Sequence, residues 1–410
     1  MSARPSPLIP LAPEAARCFG WLEESYLQTV VAALEAAEPG SVCFVGGCVR
    51  DSLAGAAPKD FDIATPLEPH AVMAALKKAG VRAVPTGVDH GTVTAAIEHK
   101  GVEITTLRAD VSTDGRRATV AFTRDWTRDA ERRDFRINAI YLTPDRRLYD
   151  PVGGIEDLRA QRVRFIGAAE ARIREDYLRI LRFFRFSARF AHGFDPEGLT
   201  ACRKLKTGIA QLSAERVGDE FSKILRLPAA PMAVETMRDA GVLAEIWPAA
   251  PALEALRTIK GLAPDAGAPL GLAALFGEEG RRIDARLRLS NADAARRKRA
   301  IAGAARLRAD FSEKEARANQ YRLGRETFLD AVLLAAATSG EAEGWRDLIA
   351  FSKRMTPPEF PLSGKDVIEA GVEPGPKVAQ ILKAAEEAWI GEDFPPAARA
   401  RELLRDYLAG

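Results

Sequence analysis

Val42-Cys43-Phe44-Val45-Gly46-Gly47-Cys48-Val49-Arg50-Asp51 is the stretch on which the fold turns. Val42 to Val45 read as a short apolar strand, ended at once by a glycine pair, and a helix opens behind it. Two glycines let the backbone come close to an anion, and a helix start offers free N–H groups and the positive end of its dipole. Arg50, within the first turns, reaches the same place. Taken alone, Gly-Gly after a strand is also an ordinary turn.

On the N-terminal side, residues 14–38 read as one helix, with Leu22, Tyr26, Val30 and Leu34 at helical spacing and Pro39-Gly40 as its end. On the C-terminal side, Phe61-Asp62-Ile63 is a second strand, and Pro69 to Ala79 is a helix closed by Gly80. Thr92–Ile97 and Val102–Leu107 are β-rich, and His99-Lys100-Gly101 between them suggests a hairpin. Residues 108–131 are polar, with Asp114-Gly115 as a turn signal; Ala139–Leu142 and Arg147–Tyr149 resume strand character. After residue 167 strand signals fade into amphipathic stretches rich in Ala, Leu and Arg. The predicted fold is α+β. A helical segment over 1–38 leads into a head with a mixed β-sheet over 39–165. An all-helical neck (166–250) and an all-helical body and tail (251–410) follow.

A chain of 410 residues exceeds what one core supports, and predicts roughly two to four domains. With 47% apolar and 28% charged residues, disorder for want of apolar surface is excluded. The net charge is only +2, from 59 Lys+Arg against 57 Asp+Glu, so nucleic-acid binding has to come from local clusters. The four cysteines form no CxxC pair and have no histidine at zinc spacing. They suit a reducing compartment, hence a cytoplasmic location. Met1–Pro13 lacks the basic start and apolar run of a signal peptide, and no apolar run is long enough to span a membrane.

Four further constellations carry chemistry. In Lys59-Asp60-Phe61-Asp62, residues i and i+2 of a strand point the same way, so Asp60 and Asp62 stand side by side. Like charges that close are costly unless a cation sits between them, and magnesium prefers oxygen ligands. Alone, the pair is equally two exposed acids at a strand end; the glycine loop before it gives it meaning. Glu103, in Val102-Glu103-Ile104, either faces solvent or, if its strand neighbours the first acids, completes a triad able to hold two metal ions. In Arg132-Arg133-Asp134-Phe135-Arg136-Ile137-Asn138-Ala139, Arg133 suits a triphosphate and Asn138 a ribose or backbone group; a surface helix with i,i+4 pairs fits as well. In Glu175 to Arg189, Asp176, Arg179, Arg182 and Arg185 recur every third residue and form a drifting stripe on a helix. Asp176 and Arg179 together offer acceptor and donor groups suited to the Watson–Crick edge of a base. A solvated basic face gives the same spacing.

In this order, the five motifs resemble the class II CCA-adding tRNA nucleotidyltransferases and the related bacterial poly(A) polymerases, members of the DNA polymerase β-like superfamily. The similarity covers roughly residues 40–190, with a weaker helical stretch to 250. It implies nucleotide contacts at Gly47 and Arg50, magnesium ligands at Asp60 and Asp62, and a third catalytic acid at Glu103. It further implies a nucleotide role for Arg133 and an amino-acid template for base choice at Asp176 and Arg179. Arg182 and Arg185 would add nucleotide contacts. Asp150-Pro151-Val152-Gly153-Gly154 resembles the family's join of head and neck, and Arg136 stands where the family usually has Thr.

The implied activity is template-independent addition of C and A to the 3′ end of tRNA, from CTP and ATP, by magnesium-dependent phosphoryl transfer. Thr105-Thr106-Leu107-Arg108 with Asp114-Gly115-Arg116-Arg117 resembles the strand and flexible loop of CCA-adding enzymes. That favours CCA addition over a poly(A) polymerase; a catalytically silent RNA-binding protein of this fold is the remaining alternative. His70, His90, His99 and His192 include no His-Asp dipeptide, so no appended metal phosphohydrolase domain is expected. Oligomeric state stays open.

Overall fold

The computed structural model describes residues 4–114 and 117–409. The chain forms two compact units, Met1–Ile224 with Met232–Pro248, and Leu225–Pro231 with Ala249–Gly410.

The first unit is built on strands β1 (Ile9–Pro10), β2 (Cys43–Val45), β3 (Asp62–Thr65), β4 (Arg82–Gly87), β5 (Thr92–Ile97), β6 (Lys100–Thr106), β7 (Arg108–Asp114), β8 (Arg117–Phe122), β9 (Tyr141–Leu142) and β10 (Arg147–Tyr149). Eight of them make one mixed sheet in the order β1-β10-β9-β2-β3-β6-β5-β4, and β7 pairs with β8 apart from it. At the centre β3 runs parallel to β6, with Asp62 opposite Glu103 and Ile63 opposite Ile104. Alternation sends Ile63, Val93, Val102 and Ile104 into a core shared with the helices Ser25–Ala37 and Pro69–Lys78. The mixed sheet followed by helices is the α+β architecture expected from the sequence.

Local departures have physical causes. The single helix expected over 14–38 is three pieces, Pro13–Ala16, a 3-10 stretch Arg17–Glu23, and Ser25–Ala37, with Glu24 extended between the last two. Phe19 and Leu22 are buried, while the Trp21 ring between them packs on Phe44 and Phe61 at 4.9 and 4.8 Å and its Nε1 donates to Ser52 Oγ at 2.9 Å. A straight helix cannot aim all three at those partners. The β5–β6 turn is Glu98-His99, one residue earlier than expected. Both residues have positive φ (50° and 62°), the conformation a two-residue hairpin demands, and Lys100-Gly101 belong to β6. Strand β4 was not foreseen; it lies at the sheet edge, where its Pro85 costs no ladder bond. The polar segment 108–131 holds β7, β8 and the helix Trp126–Glu131. Gly115 of its expected Asp114-Gly115 turn, with Arg116 after it, lies outside the described residues.

The helix Gly154–Arg159 follows the sheet, its first N–H groups taken by the Asp150 carboxylate at 2.8 Å. A Cβ on Gly154 would sit 2.2 Å from the Arg136 carbonyl oxygen, so only glycine fits here. Beyond β10 the described residues are helical or irregular, apart from a single β-bridge from Phe165 to Phe135. The helices Ala169–Glu175, Leu178–Phe190, Pro196–Leu205 and Ala214–Leu225 come next. Phe135, Phe165, Phe183 and Phe186 stack between the sheet side and the helix Leu178–Phe190, with ring centroids 4.8 to 6.3 Å apart.

Among its described residues the second unit contains only helices and the turns between them. The helix Arg325–Ser339 is buried along most of its length against Leu253–Leu262, Ala268–Phe276 and Asn291–Ala304, and a smaller core gathers Leu362, Val367, Trp389 and Leu404. No helix among the described residues is long and apolar enough to cross a membrane.

Candidate active site

The glycine loop folds as its sequence requires. Gly46 has φ 74° and ψ −124°, a conformation closed to other residues, and Gly47 begins the helix Gly47–Leu53. The turn leaves an open floor. A Cβ at Gly46 would come no nearer than 3.9 Å to Arg133 Nη1 and 4.0 Å to Asp62 Oδ2. Above that floor lies a cavity of about 370 Å³, lined by Gly46, Gly47, Arg50, Asp62 and Arg132 to Asp134. Asn138, Asp176, Arg179, Arg182 and Phe186 complete the lining. A larger hollow of about 520 Å³ under Ile9–Ala12 is mainly aliphatic and lacks converging carboxylates.

Asp62 opens β3, half-buried; Glu103 is exposed on β6 directly beside it; Asp60 is exposed in the bend that leads into the strand. Asp60 is therefore just outside the strand rather than on it. Burial pushes the Asp62 carboxyl up to about 6; the Glu103 charge adds to this, Arg133 opposes it, and Asp60 raises it further. Glu103 and Asp60 both make the Asp62 charge harder to keep. An all-oxygen set crowded in this way suits a hard divalent cation. Among the described residues, no three His, Cys, Asp or Glu side chains enclose a metal unaided. A cation held here would need further oxygens from water or a ligand.

The arginines are positioned by acids that the sequence did not single out. Asp129, 1% exposed, accepts from Arg132 Nη2 (2.7 Å), Arg133 Nη2 (3.0 Å), Tyr141 Oη (2.8 Å) and the Arg108 N–H (3.1 Å). Burial works against its charge, but Arg133 and Arg132 outweigh that and hold its carboxyl well below the usual range. Arg133 keeps Nη1 toward Gly46. Residues 132–139 are not a surface helix; Phe135 is extended and only Arg136–Asn138 make a 3-10 turn. Asp134, buried, accepts from Asn138 Nδ2 (2.9 Å) and Arg182 Nε (2.7 Å), and Asn138 Oδ1 accepts from Arg50 Nη1. Arg50 is buried, paired with Asp51 at 2.8 Å through Nε and lying over the rings of Phe186 and Phe190 at 4.9 and 4.5 Å. Asn138 is thus spent on side chains rather than left free. Arg136 reaches toward the buried Asp157 at 4.0 Å and stays out of the cavity.

Asp176 departs from the helical stripe. It sits extended (φ −156°, ψ 107°) in a break between the helices Ala169–Glu175 and Leu178–Phe190, and its Oδ1 accepts from the Leu178 N–H at 3.1 Å. Arg179 bonds Glu175, the Arg172 carbonyl (2.8 Å) and the Arg132 carbonyl (3.2 Å). Arg185 is turned away from the cavity, paired with Glu220 and lying 4.2 Å over the Phe186 ring. Of the predicted residues, Gly47, Arg50, Asp62, Arg133, Asp176, Arg179 and Arg182 share one cavity; Asp60 and Glu103 flank Asp62, and Arg185 stands behind.

Residues 42–164 match the family described as Poly A polymerase head domain, and residues 193–253 match "Probable RNA and SrmB- binding site of polymerase A". The chain is 34% identical over 357 residues to the human mitochondrial CCA tRNA nucleotidyltransferase 1, covering 84% of this chain and 81% of that protein. The chain belongs to the CCA tRNA nucleotidyltransferase family. The CCA-adding enzyme of Limosilactobacillus fermentum is 30% identical over 385 residues, 88% of this chain and 93% of the relative. The crystal structure of the Bacillus stearothermophilus CCA-adding enzyme in complex with CTP superposes with a TM-score of 0.69 at 27% identity, covering 94% of this chain and 98% of that one. The chain is a nucleotidyltransferase, and its family is metal-dependent.

Proposed function

We propose that this nucleotidyltransferase builds or repairs the CCA end of tRNA, adding C and A from CTP and ATP without a nucleic-acid template. One observation carries the reading: a single cavity is lined both by Asp62 with the glycine floor and by the Asp176–Arg179 pair. A nucleoside triphosphate offers a matching partner to each, phosphates to the first and a base to the second.

The polar pattern of that pair explains why C and A would both be accepted. Cytosine and adenine each offer an amino donor next to a ring-nitrogen acceptor. The Asp176 carboxylate accepts from the first and the Arg179 guanidinium donates to the second. Uracil and guanine present the reverse order, leaving buried groups unpaired, which is where discrimination is strong. Arg133, aimed at the glycine floor by Asp129, and Arg50 and Arg182 would hold the phosphates. Gly47 lets the backbone approach them. Arg185, paired with Glu220, supports the helix from behind.

Asp60 and Asp62, with Glu103 beside them, would hold magnesium. Bound there, the ion would supply Lewis-acid activation of the RNA 3′-hydroxyl and charge neutralisation for the pyrophosphate. The head (39–165), neck (166–250) and helical body and tail (251–410) divide the work between chemistry, base choice and grip on the tRNA. A cytoplasmic location belongs to the same reading, supported by the free thiols of Cys18, Cys43, Cys48 and Cys202. The human and mouse relatives are mitochondrial.

The test is incorporation of labelled CTP into tRNA lacking its CCA end, comparing the protein with Asp60→Ala. The variant should lose magnesium-dependent incorporation. Undiminished incorporation would remove the metal assignment.

A further inference from the structure

Asp176 reads a base only if its carboxylate keeps one orientation, and its own neighbours fix only half of it. The residue lies in an extended break between two helices, its carbonyl accepting the Arg179 N–H at 3.0 Å, and the Leu178 N–H takes Oδ1. The terminal torsion of an aspartate is broad, so one bond leaves the other oxygen free to swing. Oδ2 is taken from elsewhere: Arg216, forty residues on, donates from Nη2 at 2.8 Å.

Arg216 stands in the first turn of the helix Ala214–Leu225, whose start is set by Ser213 through its carbonyl, which accepts the Val217 N–H at 3.2 Å. One turn later on the same face, the buried Glu220 pairs with Arg185 of the helix Leu178–Phe190. The two ties have opposite polarity, acid to base at Asp176–Arg216 and base to acid at Arg185–Glu220. Sliding one helix by a turn would set like charges against each other, so the pair accepts one register. Arg216 itself is half-exposed and does not line the cavity.

We propose that Arg216 is a positioning residue for base choice, holding the Asp176 carboxylate so that a base meets a fixed acceptor. Arginine only donates, so the oxygen it holds is presented as an acceptor, and each oxygen keeps a second acceptor site for a base amino group. Arg179 is fixed by three partners, two of them backbone carbonyls. Asp176 depends on Arg216 for its one side-chain tether among the described residues. Loss of that tether relaxes the acceptor half of the reader and leaves the donor half intact. Uracil, similar to cytosine in size but reversed in its polar edge, is the competitor that gains.

The inference rests on the reading of Asp176 and Arg179 as the base-reading pair, and the experiment separates the two. Single additions to a tRNA ending before its first C are followed with CTP and with UTP. The full chain is compared with Arg216→Ala, Arg216→Lys, Asp176→Ala and the double variant Asp176→Ala/Arg216→Ala. Arg216→Ala should lower the CTP-over-UTP preference about tenfold, through a raised KM for CTP, the size of one charge-assisted hydrogen bond. Arg216→Lys should recover part of it. Thermal unfolding should hardly move, because the ion pair is exposed. In the Asp176→Ala background, removing Arg216 should change nothing further. If Asp176→Ala loses the preference while Arg216→Ala keeps it, or the two losses add, the role of Arg216 is refuted and the base-reading pair stands. If Asp176→Ala keeps the preference, both fall.

Discussion

Asp62 and Glu103 are register partners on the parallel strands β3 and β6, so their side chains leave the sheet on the same face as neighbours. Two like charges on adjacent strands are tolerated at a cost, and here Asp60 adds a third. Asp62→Asn should therefore raise the thermal midpoint of the protein in EDTA while lowering nucleotide incorporation at least about a hundredfold. Magnesium should raise the midpoint of the unmodified protein and leave the variant's unmoved, because only a group that binds the ion in the folded state is stabilised by it. An equal magnesium shift in both would place the cation elsewhere.

Asp129 presents the opposite case, an acid surrounded by donors. Asp129→Asn keeps the shape and removes the charge that Arg132 and Arg133 share, leaving two guanidinium groups half-buried without a counter-charge. Removing one partner of such a network costs about 3–5 kcal/mol. Tyr141→Phe removes one neutral donor to the same carboxylate and should cost only about 1 kcal/mol. Denaturant melts followed by the tryptophan and tyrosine signals distinguish these. Similar losses for both variants would mean that the charge is not what holds the arginines.

In the second unit, Lys260 is buried, with Nζ donating to the carbonyls of Pro264 (3.0 Å) and Ala266 (2.8 Å). Burial lowers its pKa from 10.5 to about 8, with Asp265 opposing. Between those values the unfolded chain binds the proton that the folded chain has released, so this lysine's contribution to stability rises with pH across that window. Below pH 8 the folded state carries the buried charge in full. The stability of the protein relative to Lys260→Met should rise from pH 8 to pH 10; a fall would contradict the burial.

Much of the head was legible because its signals are local. The strand and glycine pair at 42–47, the period-two runs of β5 and β6, and the helix closed by Gly80 each show in a short window. The meeting of Asp62 with Glu103 was legible only as a condition, since parallel pairing joins residues far apart in the chain. Asp129 was missed because its acid sits in an ordinary helical turn, and its worth lies in a tyrosine 12 residues away and an arginine pair that folds back on it. The break at Asp176 was hidden by a three-residue spacing that fits a helix, whereas a local bond from the Leu178 N–H and a tertiary tie to Arg216 favour an extended residue. Pro85 concealed β4, and the packing of Trp21 overrode the helical period between residues 14 and 38. Arg185 carried the right spacing for a nucleotide contact, but Glu220, on another helix, claims it.

The central claim is that one cavity joins a phosphate-transfer centre to a reader that accepts C and A alone. The most direct measurement is gel analysis of the 3′ ends of tRNA lacking CCA, incubated with magnesium and CTP, ATP or both. The account predicts two added nucleotides with CTP, a third when ATP is also present, and then a stop. A long A tail with ATP, or indifference to which triphosphate is supplied, would contradict it.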